Sequence, residues 1–151
     1  MNEIKIAENK NVTFNNVLSR RLESIDVENV EKAAKMFESY VKREGLNPYG
    51  PIILRDTSTV DGNTFVQKSE MLIQVREAPK SVEDPYQFEP KVRLEGCLMA
   101  RFTGPMDKIH LAFSKLAVYA YEHDISLGPV NYTVVVQEGE SFCADIFNEV
   151  L

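Results

Sequence analysis

The sequence predicts an α+β domain in which duplicated strand-helix-hairpin units form an antiparallel sheet, with two helices on one face. Three observations carry that expectation. Between Gly104 and His123, Met106, Ile109, Ala112, Phe113, Leu116, Ala117, Tyr119 and Ala120 fall on one arc at the helical period, opposite Asp107, His110, Ser114, Lys115 and Glu122. The flanking segments 92–102, 132–136 and 142–147 are rich in β-branched and aromatic residues, so this helix has strands on either side. The same order of strand, helix and hairpin is legible a second time in the first half of the chain.

Taken in order, Met1–Asn11 is polar and of mixed charge, and the first strand is expected over Val12–Ile25. Asp26 is placed to cap a helix over Val27–Glu44, where Val27, Val30, Ala33, Ala34, Phe37, Tyr40 and Val41 keep three-and-four spacing. Glu28/Lys32, Glu31/Lys35 and Glu38/Lys42 run Glu before Lys at four residues and support its outer side. Gly45 supplies the left-handed residue that ends a helix, and Asn47–Pro51 turns the chain into Ile52–Arg55. Asp61-Gly62 tolerates positive φ and marks a hairpin turn that returns through Met71–Val75. Residues 78–90, with three prolines, read as a linker. In the second half Pro105 suits a first helical turn and Asp107 complements the positive end of the dipole. Gly128-Pro129 and a hairpin turn at Glu138-Gly139 follow.

Gly50 and Gly128 stand 78 residues apart (128 − 50), and Gly62 and Gly139 stand 77 apart (139 − 62). Two markers keeping nearly one offset point to a repeated unit. One domain over 1–151 is therefore expected, with repeat one at about 12–77, a linker at 78–90 and repeat two at about 91–151. Phe37 and Phe113 are expected to be buried where the helices meet the sheet.

Composition removes several function classes. With 23 Asp and Glu against 17 Lys and Arg, the chain carries a formal charge of −6 and offers no clustered basic footprint for nucleic acid. Cys97 and Cys143 lie in separate strand-like segments without CxxC spacing, which fits free thiols in a reducing compartment. No apolar run of the length of a signal peptide or membrane span is present, so a cytoplasmic protein without membrane association is expected. His110 and His123 have no partner at ligand spacing, and the glycine turns lack the context that cradles phosphate, so neither metal nor cofactor is expected. Catalysis would rest on Asp145 or Glu149 with a tyrosine alone, and catalytic residues are not assigned.

Candidate binding residues come from strand alternation. Asp145, Phe147 and Glu149 share one face of the last strand, and Phe142, Ala144 and Ile146 take the other. A carboxylate among aromatic rings is a sensible place for an organic cation. Glu70 opens the corresponding strand of the first repeat. Tyr40, Tyr119 and Tyr132 stand near the helices and strand starts, where a cleft would open and where tyrosine gives apolar walls with a polar tip.

Ala100-Arg101-Phe102-Thr103-Gly104-Pro105, the helix with Ala112-Phe113 and Leu116, Leu127-Gly128-Pro129, Tyr132 and Ala144-Asp145-Ile146 together resemble the second half of the GyrI-like small-molecule-binding domain. That domain is also the effector-binding module of multidrug-responsive and AraC-type regulators. The resemblance implies a pseudo-symmetric α+β domain with a concave cleft for apolar or cationic aromatic compounds, and Asp145 matches the acidic residue of the last strand that faces it. The chain departs from the family in having Asn131-Tyr132 where a glutamate-tyrosine pair is usual, and in lacking tryptophan. With no helix-turn-helix segment before residue 26, a stand-alone ligand-binding module is the first expectation. The second is a non-enzymatic adaptor or inhibitor that binds a protein partner, as the gyrase-inhibiting relatives do. An open cleft lined by Asp145 and the tyrosines would favour the first, and one filled by Phe65, Phe88 and Phe102 the second.

Overall fold

In the computed structural model, which describes residues 3–23, 30–137 and 142–151, the first strand is longer than its apolar content predicts. β1 (Glu3–Leu22) pairs antiparallel with β4 (Tyr86–Thr103), from Glu3 opposite Thr103 to Arg20 opposite Tyr86. Backbone pairing is available to polar residues as well as apolar ones, so the strand begins well before Val12. For the same reason β4 starts inside the segment expected to be linker. Asn16, with φ of 50°, kinks β1, and Phe14 and Val17, three residues apart, both end up in the same buried cluster.

α1 (Val30–Arg43) buries Ala33, Phe37, Tyr40 and Val41, the stripe expected from the spacing. Gly45, at φ of 74°, ends it: Leu46 N–H donates to the Val41 carbonyl at 3.1 Å and Gly45 N–H to that of Lys42 at 3.0 Å. Asp26, Val27, Glu28 and the Glu138-Gly139 turn lie outside the described residues. β2 (Pro48–Asp61) and β3 (Thr64–Val75) pair as a hairpin with Asp61 opposite Thr64. The two-residue loop is therefore Gly62-Asn63, one position later than Asp61-Gly62, with the positive φ of 65° on its first residue.

Pro105 is extended (φ −64°, ψ 137°) and leads into a short 3-10 turn over Met106–Lys108, so α2 (His110–Glu122) begins five residues later than expected. Its buried residues are Ala112, Leu116 and Ala120, spaced by four, which lets the helix backbone approach the sheet closely. Phe113 stands at the margin of that narrow stripe and is only partly buried, whereas Phe37 is fully buried as expected. α2 ends without glycine: Asp124 takes φ of 55° while Ile125 N–H donates to the Ala120 carbonyl at 2.8 Å.

With β5 (Leu127–Gln137) and β6 (Cys143–Val150), the six described strands form an antiparallel sheet in the order β1-β3-β2-β5-β6-β4, and the β1–β4 pairing closes it into a barrel. The ring order reads the same when β1, β2 and β3 are exchanged with β4, β5 and β6. Gly50-Pro51 and Gly128-Pro129 each fall in a register irregularity, between Tyr49 and Ile53 in one half and between Leu127 and Asn131 in the other.

Three apolar clusters follow from this arrangement. α1 packs on Leu18, Leu22, Met71, Ile73 and Val75, with Phe88 at its margin. α2 packs on Leu98, Ala100, Phe102, Ala144 and Ile146. The third cluster, Phe14, Val17, Ile53, Leu72, Val92, Cys97, Tyr132, Val134 and Phe147, takes side chains from all six strands and from neither helix, so it lines the barrel interior. Both helices lie outside the wall, and the face away from them carries this third cluster. Phe88 and Phe102 sit on the helix side; the Phe65 side chain lies outside the described ones.

Candidate ligand-binding site

Alternation places Arg55, Glu70, Glu89 and Tyr132 on the interior face. Arg55 stands two residues from Ile53 and Glu70 two from Leu72, and cross-strand register sets Arg55 opposite both Glu70 on β3 and Tyr132 on β5. The Arg55 guanidinium is consequently ringed by acceptors. Its Nε–H donates to Glu70 Oε1 at 3.0 Å and its Nη2 to Glu70 Oε2 at 3.0 Å, a bidentate fork. Nη2 also donates to Glu89 Oε1 at 2.8 Å, and Nη1 to the Tyr132 hydroxyl at 3.4 Å. The guanidinium carbon lies 5.8 Å from the centre of the Tyr132 ring, within cation–π range. The Arg55 and Glu70 side chains are 12% and 8% exposed, and Glu89, at 38%, is the cage's contact with solvent.

Electrostatics follow from that geometry. Burial by itself would lower the pKa of the Arg55 guanidinium, but the hydrogen bonds to Glu70, Glu89 and Tyr132 outweigh it and hold the value above the ordinary one. Burial likewise pushes the Tyr132 phenol up, with Arg55 opposing. Lys68 Nζ approaches Glu70 Oε1 at 3.7 Å from the exposed side.

Asp145 lies at the other end of the same face, opposite Val134 on β5 and opposite Arg101 on β4. Instead of being left free, its carboxylate accepts two hydrogen bonds from Arg101, at 2.7 and 2.8 Å. That pair raises the Arg101 pKa, yet the Arg101 side chain is 50% exposed. Phe147 is opposite Tyr132 and packs in the interior cluster.

The six residues singled out by sequence thus divide into two groups. Glu70, Tyr132, Phe147 and Asp145 face the interior. Tyr40 and Tyr119 belong to the helices, which cover the outside of the wall, so they do not join the other four. Tyr40 stacks on Tyr86 with ring centres 3.7 Å apart, beside an open groove of about 430 Å³ rimmed by Lys32, Lys35 and Arg43. The Tyr119 hydroxyl donates to Glu8 at 2.7 Å and its ring stacks on His123.

Arg55, Glu89 and Arg101 complete these sites and were not singled out by sequence. Arg55 follows the apolar run Ile52-Ile53-Leu54 at the position alternate to Ile53 and leads into the polar residues Asp56–Thr59, so its partners become visible only with the register. Among the described residues no His, Cys, Asp and Glu side chains group in a way that could hold a metal ion, and no helix is long and apolar enough to cross a membrane.

No family model matches the sequence, and no curated protein matches it either. Solved structures do. The C-terminal domain of EcmrR superposes with a TM-score of 0.71 at 15% identity, over 100% of this chain and 98% of that one. The fold is GyrI-like. A cryo-EM structure of an EcmrR–DNA complex matches with a TM-score of 0.69 at 15% identity, over 99% of this chain, which spans 57% of that longer one. SAV2435, solved bound to tetraphenylphosphonium, matches with a TM-score of 0.55 at 11% identity, over 99% of this chain and 94% of that one. At these identities the likeness is one of fold and not of shared side chains.

Proposed function

We propose that this GyrI-like chain binds a small apolar or cationic molecule on the interior face of its sheet. The observation that carries the reading is the cage around Arg55: two carboxylates and an aromatic ring already hold a positive charge in a buried setting, an arrangement suited to organic cations. Glu70, Tyr132, Phe147 and Asp145 are the chain's own contributions to that face, and Glu89 marks where it meets solvent. The binding of tetraphenylphosphonium by SAV2435, a neighbour in fold, supports the choice of ligand class.

A thermal-shift titration tests this directly. A ligand that binds only the native state raises the melting temperature as its free concentration rises. Tetraphenylphosphonium is expected to do so at sub-millimolar concentration and the neutral triphenylphosphine oxide to do so less. No shift with any lipophilic cation up to solubility would overturn the reading.

A second function, as an adaptor for a protein partner, is favoured by the β2–β3 hairpin. β2 pairs with β5 only over Ile53–Thr57, so residues 58–68 project beyond the wall with Val60 71% exposed. Strand edges left unpaired in this way are ready templates for another chain.

A further inference from the structure

The acceptors around Arg55 have a shape that a generic cation does not need. Glu70 Oε1 and Oε2, Glu89 Oε1 and the Tyr132 hydroxyl each receive an N–H, at 3.0, 3.0, 2.8 and 3.4 Å, from one planar group. A quaternary ammonium or phosphonium can lie on the interior face with Arg55 in place, but it has no N–H, and in the position of the Arg55 guanidinium it would leave all four acceptors without a donor in a largely dry site, where an unmet hydrogen bond is costly. A planar, forked cation meets them all, as the guanidinium does.

We propose that Arg55 is the resident occupant of this cage and that the external ligand for it is a planar amidinium- or guanidinium-type cation that takes the place of the Arg55 guanidinium. The inference rests on the reading of this chain as a binder of small molecules. The resident group is tethered to β2 and so competes at a high effective concentration, which keeps the apparent affinity of the intact protein low. Glu89, the most exposed member, is the entry side. Displacing Arg55 exchanges one cation for another, so the charge of the cage is conserved and the two carboxylates are never left together without a partner. Arg55 thereby sets both the threshold for binding and the requirement for a charged, hydrogen-bonding head group.

Benzamidinium and its neutral isostere benzamide, titrated by calorimetry into the full chain and into Arg55→Met, test this. Arg55→Met is expected to bind benzamidinium at least tenfold more tightly than the wild type does, and at least tenfold more tightly than it binds benzamide. Equal affinity of the two proteins for benzamidinium, or of the variant for the two compounds, overturns the inference. Should Arg55→Met fail to fold unaided, recovery of folded protein on refolding with benzamidinium but not with benzamide supports it, and recovery with both or with neither overturns it. Arg55→Lys, which keeps one charge but loses the fork, is expected to fall between wild type and Arg55→Met. A wild-type melting shift with tetraphenylphosphonium alongside no benzamidinium preference in Arg55→Met sinks this inference alone; silence toward every cation in both proteins sinks the small-molecule reading with it.

Discussion

Two carboxylates on the same face of the barrel have each been given an arginine, and the two pairs differ in what surrounds them. Arg55 and Glu70 are both buried, so removing one charge leaves the other with little water to turn to, a loss of about 3 kcal/mol in comparable buried pairs. Glu70→Gln is expected to cost about that much in urea denaturation. Asp145→Asn should cost about 1 kcal/mol or less, because the half-exposed Arg101 is solvated once its partner is gone. Equal losses would contradict the difference in burial. Tyrosine ionisation supplies a second check. Tyr40 and Tyr132 are raised from the ordinary 10.0 mainly by burial, and Tyr119 by its hydrogen bond to Glu8. A raised folded-state value means that these groups contribute stability that is full below pH 10 and is lost as the pH climbs through their folded-state values. Absorbance titration should therefore show part of the six tyrosines ionising late, together with falling stability above about pH 10. At this scale the face of Asp145 was legible, since alternation alone sets the face of a strand residue, whereas Glu70, expected to open its strand, lies well inside β3. Their arginines were not, because a cross-strand partner is fixed by register and nothing local to Arg55 distinguishes it from a polar residue at a strand end.

The helices were the most legible elements and their ends the least. α1 kept its stripe and its Gly45 terminus, because period and the left-handed residue are both local signals. α2 was displaced at its start, where Pro105 is extended and the 3-10 turn intervenes, and at its end, where Asp124 does what glycine usually does. The consequence is testable at the helix–wall contacts. Phe37→Ala is expected to cost about 3–5 kcal/mol and Leu116→Ala about 2–5 kcal/mol by chemical denaturation, as for fully buried side chains. Phe113→Ala should cost less than either, since its ring already meets solvent. A loss at Phe113 as large as at Phe37 would restore it to the core. The β strands show the opposite bias. Their middles were found by β-branched content, but β1 and β4 extend through polar residues such as Lys5 and Lys91 because pairing, not composition, holds them there.

For the whole molecule, the closure of the ring by β1 and β4 joins segments that the repeat pattern assigns to different halves. Each half therefore lacks one of the two partners of its own outer strand, and a single cooperative transition is expected, with fluorescence and circular dichroism coincident in urea. Fragments 1–77 and 78–151 made separately should each remain largely unfolded and regain structure on mixing; independent folding of either would show that the β1–β4 pairing is dispensable. That pairing also has a temporal side. Glu3 meets Thr103 across 100 residues of chain (103 − 3), so the contact that completes the ring comes at a large loop-closure entropy and cannot form until much of the intervening chain is in place. Refolding should accordingly run in milliseconds to seconds rather than microseconds, and until the ring shuts, the growing sheet exposes strand edges that the finished ring conceals. A nascent chain emerging from the ribosome holds β1 without its β4 partner for the time needed to make some eighty further residues, and that interval, more than any weakness of the native state, is when it is open to misassociation.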